Sequence, residues 1–99
     1  MANSEGPVLL SGAKTVAVAG TAEAMVGASQ RVKSVVIIAK SGNTNQVYVG
    51  GSDVNSATNG GLAAGESITV EAVAWLDLAD IYLDVGFAGE GVDFYSVKA

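Results

Sequence analysis

The sequence predicts an all-β protein: an antiparallel β-sandwich, jelly-roll-like, of seven to eight strands with little or no helix. Three observations predict it. Most apolar runs alternate with period two, which marks strands with one buried and one wet face. Glycines fall between the runs at intervals typical of turns in an all-β domain. Only one segment, "TAEAMVGASQ", has helix-forming composition, and Gly27 interrupts it, so it is read as irregular strand and loop.

Taken in order, residues 1–10 form an extended N-terminal arm. Pro7 lacks an amide donor and disfavours the helical conformation before it, so "EGPVLL" runs extended into a short strand at Val8–Leu10. Residues 11–99 make a single β-sandwich domain, since a chain of 99 residues supports one core. "KTVAVA" puts Val16 and Val18 on one face, and "QVYV" does the same with Val47 and Val49. "VKSVVIIAK" is apolar on both faces from Val35 to Ala39, which predicts a central strand covered on both sides. In "ESITVEA", Ile68, Val70 and Ala72 oppose Ser67, Thr69 and Glu71. In "DIYLDV", Ile81, Leu83 and Val85 oppose Asp80, Tyr82 and Asp84, and in "VDFYSV", Val92 and Phe94 oppose Asp93 and Tyr95. The expected core is therefore Val16, Val18, Val36, Ile38, Val47, Val49, Ile68, Val70, Ile81, Leu83, Val92 and Phe94. Gly12, Gly20, Gly42, Gly50, Gly51, Gly60, Gly61, Gly65, Gly86, Gly89 and Gly91 are assigned to the turns between runs. "SGNTN" reads as a hairpin connection and "SATNGGLAAGE" as a surface loop.

Composition narrows the chemistry. Cysteine and histidine are both absent, which removes disulfides, thiolate metal sites, the commonest general base and every histidine-assisted nucleophile. Five basic against ten acidic residues give a net charge of −5, the wrong sign for a nucleic-acid footprint. No apolar run approaches the roughly 20 residues of a membrane helix, and the first ten residues lack the basic and apolar regions of a signal peptide. A soluble protein that stays in its compartment of synthesis is expected. Apolar residues make up 49% and charged ones only 15%, so part of the apolar surface is expected to be covered by other subunits.

No motif points to catalysis. Glu71, Asp77, Asp80, Asp84, Glu90 and Asp93 cluster late, but "DLADIYLD" lacks the alternating oxygen spacing of a calcium loop, and it reads as a solvated acidic face. The glycine pairs are followed by neither a Lys-Ser nor a Lys-Thr pair, so they form no phosphate cradle. Trp75, the one tryptophan, reads as a packing residue at a sheet edge or subunit contact, with stacking on a sugar ring as the alternative. Tyr48, Tyr82 and Tyr95 each oppose the aliphatic face of their strands, where tyrosine suits a protein interface. No catalytic residue, cofactor or metal is assigned, and an enzyme is not expected.

In order, Gly20-Thr21-Ala22, Asn43, Tyr48-Val49-Gly50, Asp53-Val54, Gly65-Glu66-Ser67 and Ile81-Tyr82 resemble the pattern of small structural proteins from tailed-bacteriophage head gene clusters. The likeness spans about Gly20 to Val97, and Ala64 stands where that family often has proline before the Gly-Glu-Ser turn. It implies a β-sandwich virion component: a capsid decoration (cement) protein, made in the bacterial cytoplasm, that binds the phage major capsid protein on the capsid surface. A homo-oligomer, with a trimer favoured, is expected, and neither nucleic acid nor membrane is an expected partner. Val8, Leu9, Leu10, Tyr48, Trp75, Tyr82 and Tyr95 are the expected interface, with the arm adding a strand to a neighbour's sheet edge. The alternative is a head or tail fibre or adhesion module that binds host-surface glycans through Trp75 and the loops near Gly60 and Gly89.

Overall fold

The structure is a computed structural model that describes residues 8–57 and 60–99. The described residues form seven strands: β1 (Leu9–Thr15), β2 (Glu23–Ala24), β3 (Arg31–Ala39), β4 (Val47–Gly50), β5 (Ser67–Asp77), β6 (Tyr82–Val85) and β7 (Gly91–Lys98). A single 3₁₀ turn, Leu78–Asp80, joins β5 to β6, and the Asp77 carboxylate caps it by accepting from the Ala79 amide. All pairings are antiparallel. They build a four-stranded sheet, β1-β7-β3-β5, and a three-stranded sheet, β2-β6-β4. The chain is a β-sandwich, as its alternation predicts.

The pairings nest. β1 pairs with β7, β2 with β6 and β3 with β5, and Val47 of β4 bridges Leu62, the last vestige of an eighth strand. The described strands thus form one long antiparallel ribbon whose innermost pair is Val47 and Leu62. The ribbon is wound so that successive strands fall in alternate sheets, which is jelly-roll wrapping. Two further pairings, β3 with β7 and β4 with β6, close the sheets.

Register settles the faces of the larger sheet. Its inner rows are Leu10–Ser96–Val35–Val70 and Gly12–Phe94–Ile37–Ile68, followed by Lys14–Val92–Ala39. Val35, Ile37, Ala39, Val92, Phe94 and Ser96 in these rows are buried. Val32 of β3, with Val16, Met25, Val47, Leu78, Ile81, Leu83 and Val85 from the other sheet and the connections, completes the core. Each fully buried aliphatic contributes about 1.5–3 kcal/mol, so Leu83 and Ile37, both with no exposed surface, anchor the two layers.

Half of the expected core is buried as predicted: Val16, Val47, Ile81, Leu83, Val92 and Phe94. Val49 and Val70 are half-buried and pack against it. Val36 and Ile38 lie on the outer face and are half-buried, so β3 is central but buries only its Val35, Ile37 and Ala39 face fully among the described residues. A run that is apolar at every position carries no parity signal, so its buried set had to be chosen by neighbours the sequence does not show. Ile68 is on the inner face but 40% exposed, because β5 is the edge of its sheet. Val18 is 56% exposed: β1 ends at Thr15, and Thr21 donates to the Val18 carbonyl to form a turn there.

Two boundaries differ from expectation. The division at residue 10 falls inside β1, where Leu9 and Leu10 already pair with Val97 and Ser96 of the same chain, and Val8 accepts from the Lys98 amide. Residues 1–7 lie outside the described residues. Gly12, Gly50 and Gly91 are strand residues rather than turn residues. A Cβ on Gly12 would stand 2.6 Å from the Phe94 ring, so glycine is what lets that ring lie flat across β1.

Candidate interaction surfaces

The acidic residues do not form one solvated face; four of them tie loops to the sandwich. Asp84 does oppose Leu83 and Val85, yet it is only 1% exposed, because two connections fold over the outer face of the smaller sheet. Its carboxylate accepts from Gly20 N (2.8 Å), Ser56 N (3.1 Å) and its neighbour Val85 N (2.8 Å). Val54 is buried in the second of these connections, where a Cβ on Gly50 would meet it at 3.1 Å. Glu90 holds the β3–β4 turn, accepting from Thr44 N (2.6 Å), Thr44 Oγ1 (2.8 Å) and Asn45 N (2.9 Å). Asn43 completes that clasp by donating to the Gly91 carbonyl at 2.8 Å. Asp77 accepts from Ser29 Oγ, Gln30 N and Ala79 N, and Glu23 accepts from Ala17 N and pairs with Lys14 at 2.9 Å.

These contacts hold three carboxyls below their ordinary range. For Glu90 the main cause is the Thr44 amide; for Asp77 it is the Ser29 hydroxyl, followed by the Ala79 and Gln30 amides; for Glu23 it is Lys14. A depressed folded-state value means that the unfolded chain binds more protons at acid pH. The stabilisation is therefore fully present above the unfolded carboxylate range, about pH 4–4.5, and is lost as pH falls through the lowered values. Thermal melts from pH 7 to pH 3 should show a plateau and then an acid decline, with a shallower decline for Glu90→Gln. An unchanged slope in that variant would remove Glu90 from the account.

A shallow polar depression of about 360 Å³ lies between Lys40–Asn43 and Gly89–Asp93. Most of its polar side chains are already engaged: Lys40 with Asp93 at 2.7 Å, Asn43 with Gly91, and Glu90 with the turn above it. No cluster of three or more metal-ligating side chains occurs among the described residues.

What faces solvent instead is apolar, in three places. The β1–β2 and β6–β7 connections are stitched together by Val16 N to Glu90 O (2.9 Å) and Gly89 N to Val16 O (2.8 Å). They carry the exposed Val18 and Phe87. The second place is a wide bulge in β5, where Ala72–Trp75 lie opposite Lys33 alone between the pairs Ser34–Glu71 and Val32–Leu76. Val73 there stands wholly in solvent, and Trp75 is 46% exposed with the Arg31 guanidinium 4.1 Å over its ring. One ring face is thus occupied by a cation, the reverse of an open platform for a sugar.

The third place is the outer face of the four-stranded sheet. Its rows are Leu9–Val97–Ser34–Glu71, Ser11–Tyr95–Val36–Thr69 and Ala13–Asp93–Ile38–Ser67. Leu9 and Tyr95 are exposed, and Val97, Val36 and Ile38 are half-buried.

The expected interface residues are spread over these surfaces. Val8 and Leu9 are exposed beside β7, whereas Leu10 turns inward and packs on the core. Tyr95 is on the larger sheet, while Tyr48 and Tyr82 are half-buried in the smaller one, so the three tyrosines make no common surface. Val18 was expected in the core, and neither Val73, between two alanines in β5, nor Phe87, between Gly86 and Ala88 in a turn, carries a motif that marks it. The structure has no helix long and apolar enough to cross a membrane among the described residues. Compared with known protein families, curated proteins and solved structures, the chain matches none.

Proposed function

We propose that the protein is a non-enzymatic structural component of a tailed-phage virion, a capsid decoration (cement) protein that binds the major capsid lattice. The observation that carries this reading is the separation of its exposed apolar groups: Val18 and Phe87 in one loop pair, Val73 and Trp75 in the β5 bulge, Leu9 and Tyr95 on the sheet. A small domain with apolar surface in several separate places is suited to bridge several neighbours at once, and patches of this kind mark interaction sites. Jelly rolls also serve as viral shell and lectin domains, a likeness of fold that bears on function only by analogy. Cementing needs no reacting group, and the carboxylates are spent on holding loops in place.

In this reading the loop pair and the bulge meet the capsid protein, and residues 1–7, leading out of β1, reach a neighbouring subunit. Each aliphatic or aromatic anchor contributes about 1.5–3 kcal/mol when buried, and valency across a lattice multiplies the effect. The test is co-sedimentation of the purified protein with heads of the phage whose gene cluster encodes it. Phe87→Ser and Val73→Ser should each lower occupancy by about tenfold, as loss of one buried anchor implies. Deleting residues 1–7 should weaken binding while leaving the melting temperature within a few degrees, because the β1 ladder begins at Leu9. No binding by the wild type, or equal binding by all the variants, overturns the proposal.

A further inference from the structure

We propose that β1 is a detachable strap: whatever the chain binds, β1 lifts off β7 as a unit while the rest of the sandwich stays folded, turning β7 from an interior strand into an edge. The residues that β1 turns inward are Leu10, Gly12 and Lys14. Only Leu10 brings an apolar side chain to the core, and it is half-buried. Gly12 brings none, and Lys14 turns aside to the Glu23 carboxylate, a partly exposed ion pair of the weakly stabilising kind. No residue of β1 is buried, whereas β3 buries Val32, Val35, Ile37 and Ala39. Even β5, the opposite edge, packs Val70 and Leu76 on the core. β1 is thus held chiefly by its ladder to β7 and by the side of the Phe94 ring that lies on Gly12. Segments with few buried contacts open locally, at lower cost than global unfolding.

Two details set how it opens. Just past the strand, Val16 is fully buried and its backbone is tied to the Glu90 carbonyl at 2.9 Å and the Gly89 amide at 2.8 Å. β1 therefore pivots at Val16 and unzips from its Val8 end. Beside Leu10, Ser96 Oγ is buried without a hydrogen-bond partner among the described residues, a cost that water relieves when Leu10 lifts. Closing again covers the Phe94 ring, and the place is shaped for β1 itself. A Cβ at position 12 would stand 2.6 Å from that ring, and a Cβ on Gly91 would collide with the Lys14 carbonyl. A foreign strand with a side chain opposite Phe94 meets the ring, so the strap guards the β7 edge against the strand addition that open edges invite.

Hydrogen exchange of single amides in the full chain, without particles, tests this inside one strand and separately from capsid binding. Lys98 donates to the Val8 carbonyl and Lys40 to the Gly91 carbonyl. By alternation the Phe94 and Ser96 amides point at β1, and those of Asp93 and Tyr95 point at β3. Corrected for intrinsic rates, Phe94 and Ser96 should exchange together with Leu10, Gly12 and Lys14, at least about tenfold faster than Asp93 and Tyr95. Ser11→Cys combined with Tyr95→Cys then puts two thiols directly opposite each other on the ladder, in a chain with no other cysteine. Oxidation of that pair should slow the Phe94 and Ser96 amides at least about tenfold, and reduction should reverse it. Should the double variant not fold, Leu10→Ala, which removes the one apolar anchor of β1, should speed Phe94 exchange relative to Tyr95. Equal protection of the Phe94 and Tyr95 amides in the wild type, or exchange at Phe94 indifferent to the cross-link or to Leu10→Ala, overturns the proposal.

Discussion

Asp84→Ala is expected to cost about 3 kcal/mol, the largest effect of any polar substitution in this chain. Removing the carboxylate leaves the amides of Gly20, Ser56 and Val85 without their acceptor, and each buried donor so orphaned costs about 1–3 kcal/mol. Water reaching the loop residues recovers part of that, which places the sum well below three full penalties. Asp84→Asn keeps one oxygen and should fall between. Asp80, two residues before Tyr82 and exposed, is the natural control: its replacement by alanine should stay within about 0.5 kcal/mol. Urea unfolding of the three variants measures the differences. Equal losses at the two positions would show that the loops over the smaller sheet are held by something other than Asp84.

Phe94→Ala should cost about 3–5 kcal/mol, from lost burial and the cavity left between β1 and β3. The ring lies against Gly12, and that contact makes a sharper prediction through a pair of substitutions. Alanine normally suits a strand slightly better than glycine. Here Gly12→Ala forces a methyl to within 2.6 Å of the ring and should destabilise by about 1–3 kcal/mol, the usual cost of overpacking. In a Phe94→Leu background the same change should be nearly neutral. The coupling read from the four melting curves is the measurement; additive effects would mean that the ring moves aside and the glycine has another role.

Much of the architecture was legible because charge or hydroxyl groups marked the wet positions. Leu83 and Phe94 were recognised as core through Tyr82, Asp93 and Tyr95 beside them, and Val47 through its alternation with Tyr48. Where polar markers are missing, as from Val35 to Ala39, the pattern names a central strand but not its inner face. Met25 and Leu78 are buried from connections, which period-two reading does not examine. Asp84 shows a different limit. Its parity was right, but the partners that bury it are 64 and 28 residues away, and no local pattern reports a loop folding over a strand. The candidate surfaces were less legible still. Leu9 and Tyr95 could be singled out by type and position, whereas the β5 bulge that presents Val73 exists only through its register with β3.

The nested ribbon also governs how the molecule is made. In the order β1-β7-β3-β5, the domain's final strand occupies an interior place, hydrogen-bonded to β1 on one side and to β3 on the other. While the chain is emerging from the ribosome, β3 can find β5, but β1 has no partner until β7 is synthesised. Two aliphatic edges therefore wait open for most of translation, and the last pairing must close a loop that encloses nearly the whole domain. Such non-local closure places folding in the slow range, milliseconds to seconds. Lys14, a charge within β1, would then interrupt that strand's apolar character while it is still unpaired.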